Sequence, residues 1–251
     1  MKTLRKLLFF SFLLGFSHCF AQKSIRDSAI AFPMIGASFQ YQVPGADMAK
    51  RFKNNFNLGM LFQWKLKSNW IFGVEGNFLF AENIKETDNL APIATSEGQI
   101  IDQAGTYANV LLQERGILIY GKAGKVFPIF GPNPNSGLVA TVGVGVLQHK
   151  IRIETRDDVP QLADDYKKGY DRLSNGLSLT EFIGYMHFGN SRLINFSAGF
   201  EFTQGFTKNR RDYNFDTMMK DNTKRLDLLS GIKLSWFFPL YKHAATAYYS
   251  Y

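Results

Sequence analysis

Apolar and polar residues alternate with a period of two along most of this chain. The clearest run is 55–67, where the even positions are apolar and all the odd positions except Leu61 are polar or glycine. Such alternation predicts a β-strand with one apolar face. Eight runs of this kind are present, at 35–43, 55–67, 70–80, 110–127, 138–148, 177–188, 194–206 and 226–238. The chain is therefore predicted to be all-β with eight strands.

The fifth run changes phase near its end. Val142, Val144 and Val146 place the apolar face on even positions, whereas the next apolar residues, Ile151 and Ile153, are at odd positions. An extra residue in one strand produces such a shift, so a β-bulge is predicted there.

The connections between the predicted strands alternate in length. Short links at 67–69, 129–136 and 189–192 follow the second, fourth and sixth strands, and longer polar links at 44–54, 81–109, 155–174 and 207–223 follow the others. All short turns then lie at one end and all long loops at the other. This arrangement is typical of antiparallel up-and-down outer-membrane barrels, with the turns and both termini on the periplasmic side.

The composition of the two faces distinguishes a transmembrane barrel from a soluble one of the lipocalin kind. An eight-stranded barrel has an interior barely wide enough for side chains, and here the bulky aromatic and aliphatic residues share one face while small and polar residues share the other. Charges occupy the polar face at Lys65, Glu75, Glu201, Asp227 and Lys233. Charges of both signs are tolerated in a tight interior only if they pair. We therefore predict an eight-stranded antiparallel transmembrane β-barrel with a closed, charge-paired lumen.

The first 21 residues predict export. Lys2, Arg5 and Lys6 precede an apolar run. Cleavage is predicted after Ala21, so that the small residues Cys19 and Ala21 lie three positions and one position before the cleaved bond. This is the pattern of a cleaved signal peptide at 1–21, whose apolar core is too short for a membrane anchor. Acylation of Cys19 is disfavoured because His18 precedes it. The predicted organisation is a barrel at 22–240 and a C-terminal tail at 241–251.

Few residues suggest chemistry. The formal charge of +8 includes three basic residues of the signal peptide, and no basic run with interleaved aromatics remains, so a nucleic-acid partner is not expected. We assign no catalytic, cofactor-binding or metal-binding residue. His149, near Glu154, is the one candidate for a lipid-modifying site, although a solvated histidine at a strand end is the favoured interpretation. The basic clusters 167–168 and 208–211 are predicted in external loops, either solvated or facing lipopolysaccharide phosphates.

Taken together, the signal peptide, the eight amphipathic strands and the alternating connections resemble the small eight-stranded outer-membrane barrels, OmpA-like transmembrane domains among them. The stretch 226–241, which ends in Trp236-Phe237-Phe238-Pro239-Leu240-Tyr241, is also similar to barrel components associated with type IX secretion and gliding. The resemblance implies a non-enzymatic outer-membrane protein that contacts lipopolysaccharide and docks other envelope proteins through its external loops or its periplasmic face, for instance in a secretion or motility machinery. A lipid-modifying enzyme and a small passive porin are the alternatives.

Overall fold

Eight antiparallel strands close into a barrel in the computed structural model, which describes residues 25–189 and 194–240, apart from the Asp164 side chain. Each strand pairs with its sequence neighbours, and β1 closes the ring against β8. The strands are β1 Phe32–Gly45, β2 Asn55–Lys65, β3 Trp70–Ala81, β4 Val110–Phe127, β5 Gly137–Thr155, β6 Ser174–Phe188, β7 Asn195–Asn209 and β8 Lys224–Pro239. The predicted fold is confirmed. The predicted signal peptide 1–21 and tail 241–251 lie outside the described residues.

The connections alternate between the two ends of the barrel as predicted, but their lengths overlap: 46–54 at one end and 128–136 at the other each have nine residues. Short turns follow β2, β4 and β6, and the other four connections form the long-loop end of the barrel. The first long connection contains the helix α1, Ala46–Arg51, which packs against β8. Short 3₁₀ helices at Asp88–Ile93, Pro160–Leu162 and Asp164–Gly169 give the second and third some regular structure. None of the helices within the described residues has the length and hydrophobicity needed to cross a bilayer.

The bulky apolar face of the strands points away from the barrel. Phe200 and Leu234, at mid-strand, are 67% and 52% exposed, and the same orientation recurs around the ring. We call this outer wall the apolar belt; its most exposed members on each strand are Val43, Met60, Val74, Ile119, Val142, Ile183, Phe200 and Ile232. This orientation is the one a lipid-facing wall requires.

The predicted bulge in β5 is absent. Pairing with β4 runs without interruption from Val110↔Thr155 to Phe127↔Leu138, and inward and outward side chains alternate regularly along the strand. Ile151 and Ile153 are buried because they point into the barrel at its long-loop end. The apolar residues change from even to odd positions there because they change from the outward to the inward face, while the backbone stays regular.

The sequence pattern predicts a polar interior, but the interior contains apolar clusters as well. An apolar cluster that includes Met48, Phe52, Leu147 and Ile151 fills the long-loop end. A second apolar cluster, which includes Ile30 from the segment before β1, fills the short-turn end. Charged side chains lie between the two. Apolar side chains fill a narrow interior at close packing without needing hydrogen-bond partners, so only the middle layer has to satisfy buried charge.

Candidate functional site: a charged core, a basic rim and a loop cap

Four charged side chains from four strands meet at the centre of the barrel. Glu75 on β3, Lys122 on β4, Glu201 on β7 and Lys233 on β8 are each at most 7% exposed. Lys122 Nζ lies 2.7 Å from Glu75 Oε2 and 2.5 Å from Glu201 Oε2. Lys233 Nζ lies 2.5 Å from Glu75 Oε1 and 2.9 Å from Glu201 Oε2. Each lysine thus contacts both carboxylates, and the four residues, called the central tetrad here, form a neutral closed network.

The central tetrad leaves little open space around it. The cavity at this level measures about 20 Å³, which is room for about one water molecule. Its lining includes Phe182, Met186 and Phe237 on one side of the tetrad. Apolar clusters lie above and below this level, so side chains fill the described interior at all three levels.

Three of the five charges predicted to pair in the lumen belong to this tetrad: Glu75, Glu201 and Lys233. Lys122 was not among the predicted charges. The other two lie elsewhere in the barrel. Lys65 is at the short-turn end, where its Nζ donates to Asn135 Oδ1 at 2.8 Å and to the Ile30 carbonyl at 3.2 Å. It therefore helps to hold the segment before β1.

Asp227 pairs at the long-loop end. Its Oδ1 accepts from Arg51 of α1 at 2.7 Å, and its Oδ2 accepts from the Thr207 hydroxyl at 2.5 Å. His149 Nε2 lies 2.9 Å from the same Oδ2. Both Asp227 and His149 are fully buried. The ion pair to Arg51 fixes α1 over the barrel mouth, so this cluster ties the first long loop to the wall.

The structure corrects the interpretation of His149 as a solvated strand-end residue near Glu154. Its ring points inward, packs edge-on against Phe52 at 5.4 Å between centroids, and has Asp227 as its carboxylate partner. Glu154 pairs with Arg152 instead, at 3.1 Å. A lipid-modifying site needs a hydroxyl or carboxylate near His149 at the barrel rim. Asp227 supplies the carboxylate, but the buried ring does not reach the rim.

Basic side chains gather on the outer wall just beyond the apolar belt, on the long-loop side. Arg115 lies directly opposite Lys150 across the β4–β5 pair, and Lys208 lies directly opposite Lys224 across the β7–β8 pair. We call these residues, together with Arg152, the basic rim. Like charges facing each other across two strands destabilise a sheet. Within the protein, Arg152 is paired with Glu154 and Arg115 donates to the Ala81 and Glu114 carbonyls, so part of this repulsion is already relieved.

The predicted basic clusters in the loops are mostly engaged within the protein. Arg211 forms hydrogen bonds to Asp171, one of them at 2.8 Å, and this carboxylate raises the pKa of the Arg211 guanidinium. Arg210 Nε donates to Asn175 at 2.5 Å, and Lys168 pairs with Asp165 at 2.6 Å. Of the cluster 208–211, Lys208 contributes to the basic rim.

The long loops are joined to each other above the barrel. Arg172 contacts Glu86 at 3.0 Å and also Asp216, so one guanidinium connects three of the loops. Asn89 donates to the Tyr170 carbonyl at 2.8 Å. The loops 82–109, 156–173 and 210–223 thus form one ordered surface, the loop cap. An ordered surface loses less conformational entropy when it binds a partner.

No protein-family model and no curated protein matches the chain. Among solved structures, the chain is similar to Neisserial surface protein A, at 10% identity and a TM-score of 0.40 over 82% of this chain and 97% of that one. It is similar to Ail, the attachment invasion locus protein of Yersinia pestis, in complex with the heparin analogue sucrose octasulfate, at 12% identity and a TM-score of 0.37 over 83% and 99%. The chain is also similar to the N-terminal β-barrel domain of Pseudomonas aeruginosa OprF, at 9% identity and a TM-score of 0.32 over 85% of this chain and 100% of that one. These identities and TM-scores are too low to indicate a function.

Proposed function

We propose that this chain is a non-conducting, non-enzymatic barrel of the bacterial outer membrane that holds an ordered loop cap for binding another envelope protein. The observation that carries the proposal is the combination of an apolar outer wall with a filled interior. A soluble barrel would place its bulky apolar residues inside, and a channel would keep its lumen open to water. This chain does neither.

The basic rim gives the barrel an orientation in the proposed membrane. Its residues follow the last belt positions at the long-loop end: Lys208 comes two residues after Phe206, and Arg115 two residues before Ile117. Phosphate groups at a membrane surface bind lysine and arginine side chains. We therefore place the loop cap outside the cell and the basic rim against lipopolysaccharide phosphates.

The lipid contact can be tested with a double variant. Arg115→Gln with Lys150→Gln removes one cross-strand cation pair of the basic rim, and Lys67→Gln, at the exposed short-turn end, serves as the control for lost charge. We expect the double variant to retain less lipopolysaccharide per barrel after purification, and the control to retain the wild-type amount. Equal retention would remove the lipid contact from the proposal.

The partner class follows from the sequence resemblance of the last strand to barrel components of type IX secretion and gliding. The loop cap, joined by Arg172 and Asn89, is the surface that we propose for this contact. Affinity purification from detergent-solubilised outer membrane tests this. Co-purification of secretion or motility components is expected, and their absence would remove this partner class.

The membrane location and the closed lumen are tested together. The protein should fractionate with the outer membrane, migrate differently before and after heating, and pass no steady current in a planar bilayer. Recovery as a soluble periplasmic protein would contradict the barrel's proposed location. Stable open-channel conductance would favour the small passive porin instead.

The enzymatic alternative depends on the pair His149 and Asp227. It requires the loop cap to open so that a lipid could reach a side chain that is now fully buried. Mass spectrometry of outer-membrane lipids from cells that carry the wild type or His149→Ala tests this alternative. We expect identical lipid profiles.

A further inference from the structure

Three polar side chains interrupt the apolar belt on neighbouring strands. Glu181 on β6, Gln204 on β7 and Ser230 on β8 all point outward. In the strand register, Glu181 lies opposite Phe202, and Phe202 lies opposite Ser230. The three residues therefore occupy one patch of the outer wall.

Glu181 is at the middle of the wall. On β6 it lies between the outward residues Leu179 and Ile183, and across the β5–β6 pair it faces Val142, which is 61% exposed. Its inward neighbour Phe182 is paired with Glu201 of the central tetrad. The Glu181 carboxyl group is thus at the level of the central tetrad, on the opposite face of the wall.

The two carboxyl environments differ sharply. Glu75 and Glu201 each contact two lysines. Glu181, among the contacts of the described residues, has one hydrogen bond, from Gln204 Nε2 to Oε1 at 3.5 Å, and this is long for such a bond. Acyl chains offer no hydrogen-bond partner, and ionisable groups inside membranes face protein or water in nearly all cases. The long bond from Gln204 is therefore weak support for the Glu181 carboxyl group, and another protein surface could supply a shorter one.

We propose that the outer face of β6 and β7 associates with the same face of a second copy of this chain within the membrane, with Gln204 of each copy donating to Glu181 of the other. The inference rests on the membrane location proposed above. An acceptor and a donor lie side by side on neighbouring strands. A two-fold axis along the membrane normal between these strands places Glu181 of each copy against Gln204 of the other. The same axis keeps both copies inserted in the same direction.

The apolar surroundings fit the same contact. Ile183 and Phe200 lie opposite each other across the β6–β7 pair and are 66% and 67% exposed. They are among the most protruding side chains of the belt and lie beside the polar pair. Packing between copies would cover them, while the exchanged hydrogen bonds fix the register of the contact.

The mature sequence allows a direct test, because Cys19, in the predicted signal peptide, is the only cysteine. Leu179→Cys places a thiol opposite Gln204, next to the proposed axis. The control Leu58→Cys makes the same change on the outward face of β2. With both variants in phospholipid vesicles at low protein-to-lipid ratio, a thiol cross-linker should give a covalent dimer of Leu179→Cys and little dimer of Leu58→Cys. Equal dimer yields from the two folded variants, or none from Leu179→Cys, would overturn the proposal.

A second set of variants tests the polar pair itself. In the Leu179→Cys background, Glu181→Leu should lower the association constant about tenfold, the size expected for two hydrogen bonds between membrane-embedded segments. Glu181→Gln, which still accepts a hydrogen bond, and Ser230→Leu, which removes a neighbouring polar group, should leave it near the parent value. Heat-dependent migration confirms folding of each variant. Indifference to Glu181→Leu, or cross-linking in native membranes to a different protein in place of a second copy, would refute the self-association.

Discussion

The two halves of β5 place their bulky apolar side chains on opposite faces of the barrel wall. In the half within the apolar belt, Val142 and Val144 point outward and are 61% and 54% exposed. In the half near the long loops, Ile151 points inward and is fully buried, while Lys150 and Arg152 point outward. The backbone alternation is the same in both halves. The β-branched residues thus exchange the outward face for the inward one, while the inward face of the belt-level half also holds the apolar Val139 and Leu147.

This exchange is what two different solvents would select. A strand segment that crosses lipid needs apolar residues outside, whereas a segment beyond the membrane faces water and follows the apolar-inside rule of soluble barrels. The boundary on β5 falls between Val146 and Gln148, and on β4 it falls between Ile117 and Arg115. The same continuous strands therefore carry bulky apolar residues outside within the apolar belt, and inside near the long loops, as in a soluble barrel.

The largest effect is expected inside the belt-level half. Lys122→Met leaves Glu75 and Glu201 with one lysine between them, and breaking a buried pair in this way costs about 3 to 5 kcal/mol. The measurement is the free energy of unfolding by urea in lipid vesicles. Lys125→Met, three residues along β4, is the control: Lys125 points outward and contacts Trp70 at 5.7 Å from the ring centroid. Equal losses from the two variants would show that the tetrad charges are solvated.

The next effect compares the interiors of the two halves of β5. Ile151→Ala removes buried apolar volume from the long-loop cluster and should cost about 3 kcal/mol. Val144→Ala, on the same strand but facing outward, leaves no cavity because lipid fills the space, so its cost should be clearly smaller. The same unfolding measurement applies. A larger loss at Val144 than at Ile151 would mean that the proposed exchange of faces is wrong.

A lysine scan at outward positions locates the boundary from outside. Leu234→Lys puts a charge within the apolar belt and should cost about 2 to 3 kcal/mol, whereas Gln148→Lys, just beyond the belt, should cost at most about 1 kcal/mol. Yield of folded barrel in the outer membrane gives a second measurement. If both positions tolerate lysine equally, the belt does not face lipid at Leu234.

The sequence was sufficient for the strand number, the lengths of the connections and the direction of the outer wall, because these depend on local alternation. Of the five charges predicted to pair in one space, Glu75, Glu201 and Lys233 do so, whereas Lys65 and Asp227 are buried at opposite ends of the barrel. Lys122 was missed because three glycines, at positions 116, 121 and 124, weaken the alternation of β4. Glu181 carried a signal that could have been used: it is in phase with the apolar residues Leu177, Leu179 and Ile183.

Other contacts had no local signal. Arg51 and Asp227 are separated by 176 positions, and their pairing depends on α1 folding back over the barrel mouth. The change of phase at Ile151 was visible in the sequence, but a bulge and a change of solvent give the same pattern in one dimension. Distinguishing them requires the pairing register of β5 with both neighbours.

The smallest effect concerns the loop cap, at the far end from the belt. Asp102 accepts hydrogen bonds from the Thr106 hydroxyl and from the backbone amides of Thr106 and Ala104, which hold the pKa of its carboxyl below the usual range. Because the folded pKa is depressed, the stabilisation is complete above the ordinary aspartate pKa of about 3.9 and is lost as the pH falls below it. Hydrogen exchange should therefore show faster exchange at the Ala104 and Thr106 amides at acidic pH, beyond the change in intrinsic exchange rate, while the amides of the strands stay protected. Asp102→Asn should remove most of this pH dependence, and retention of the full effect in that variant would assign it to another group.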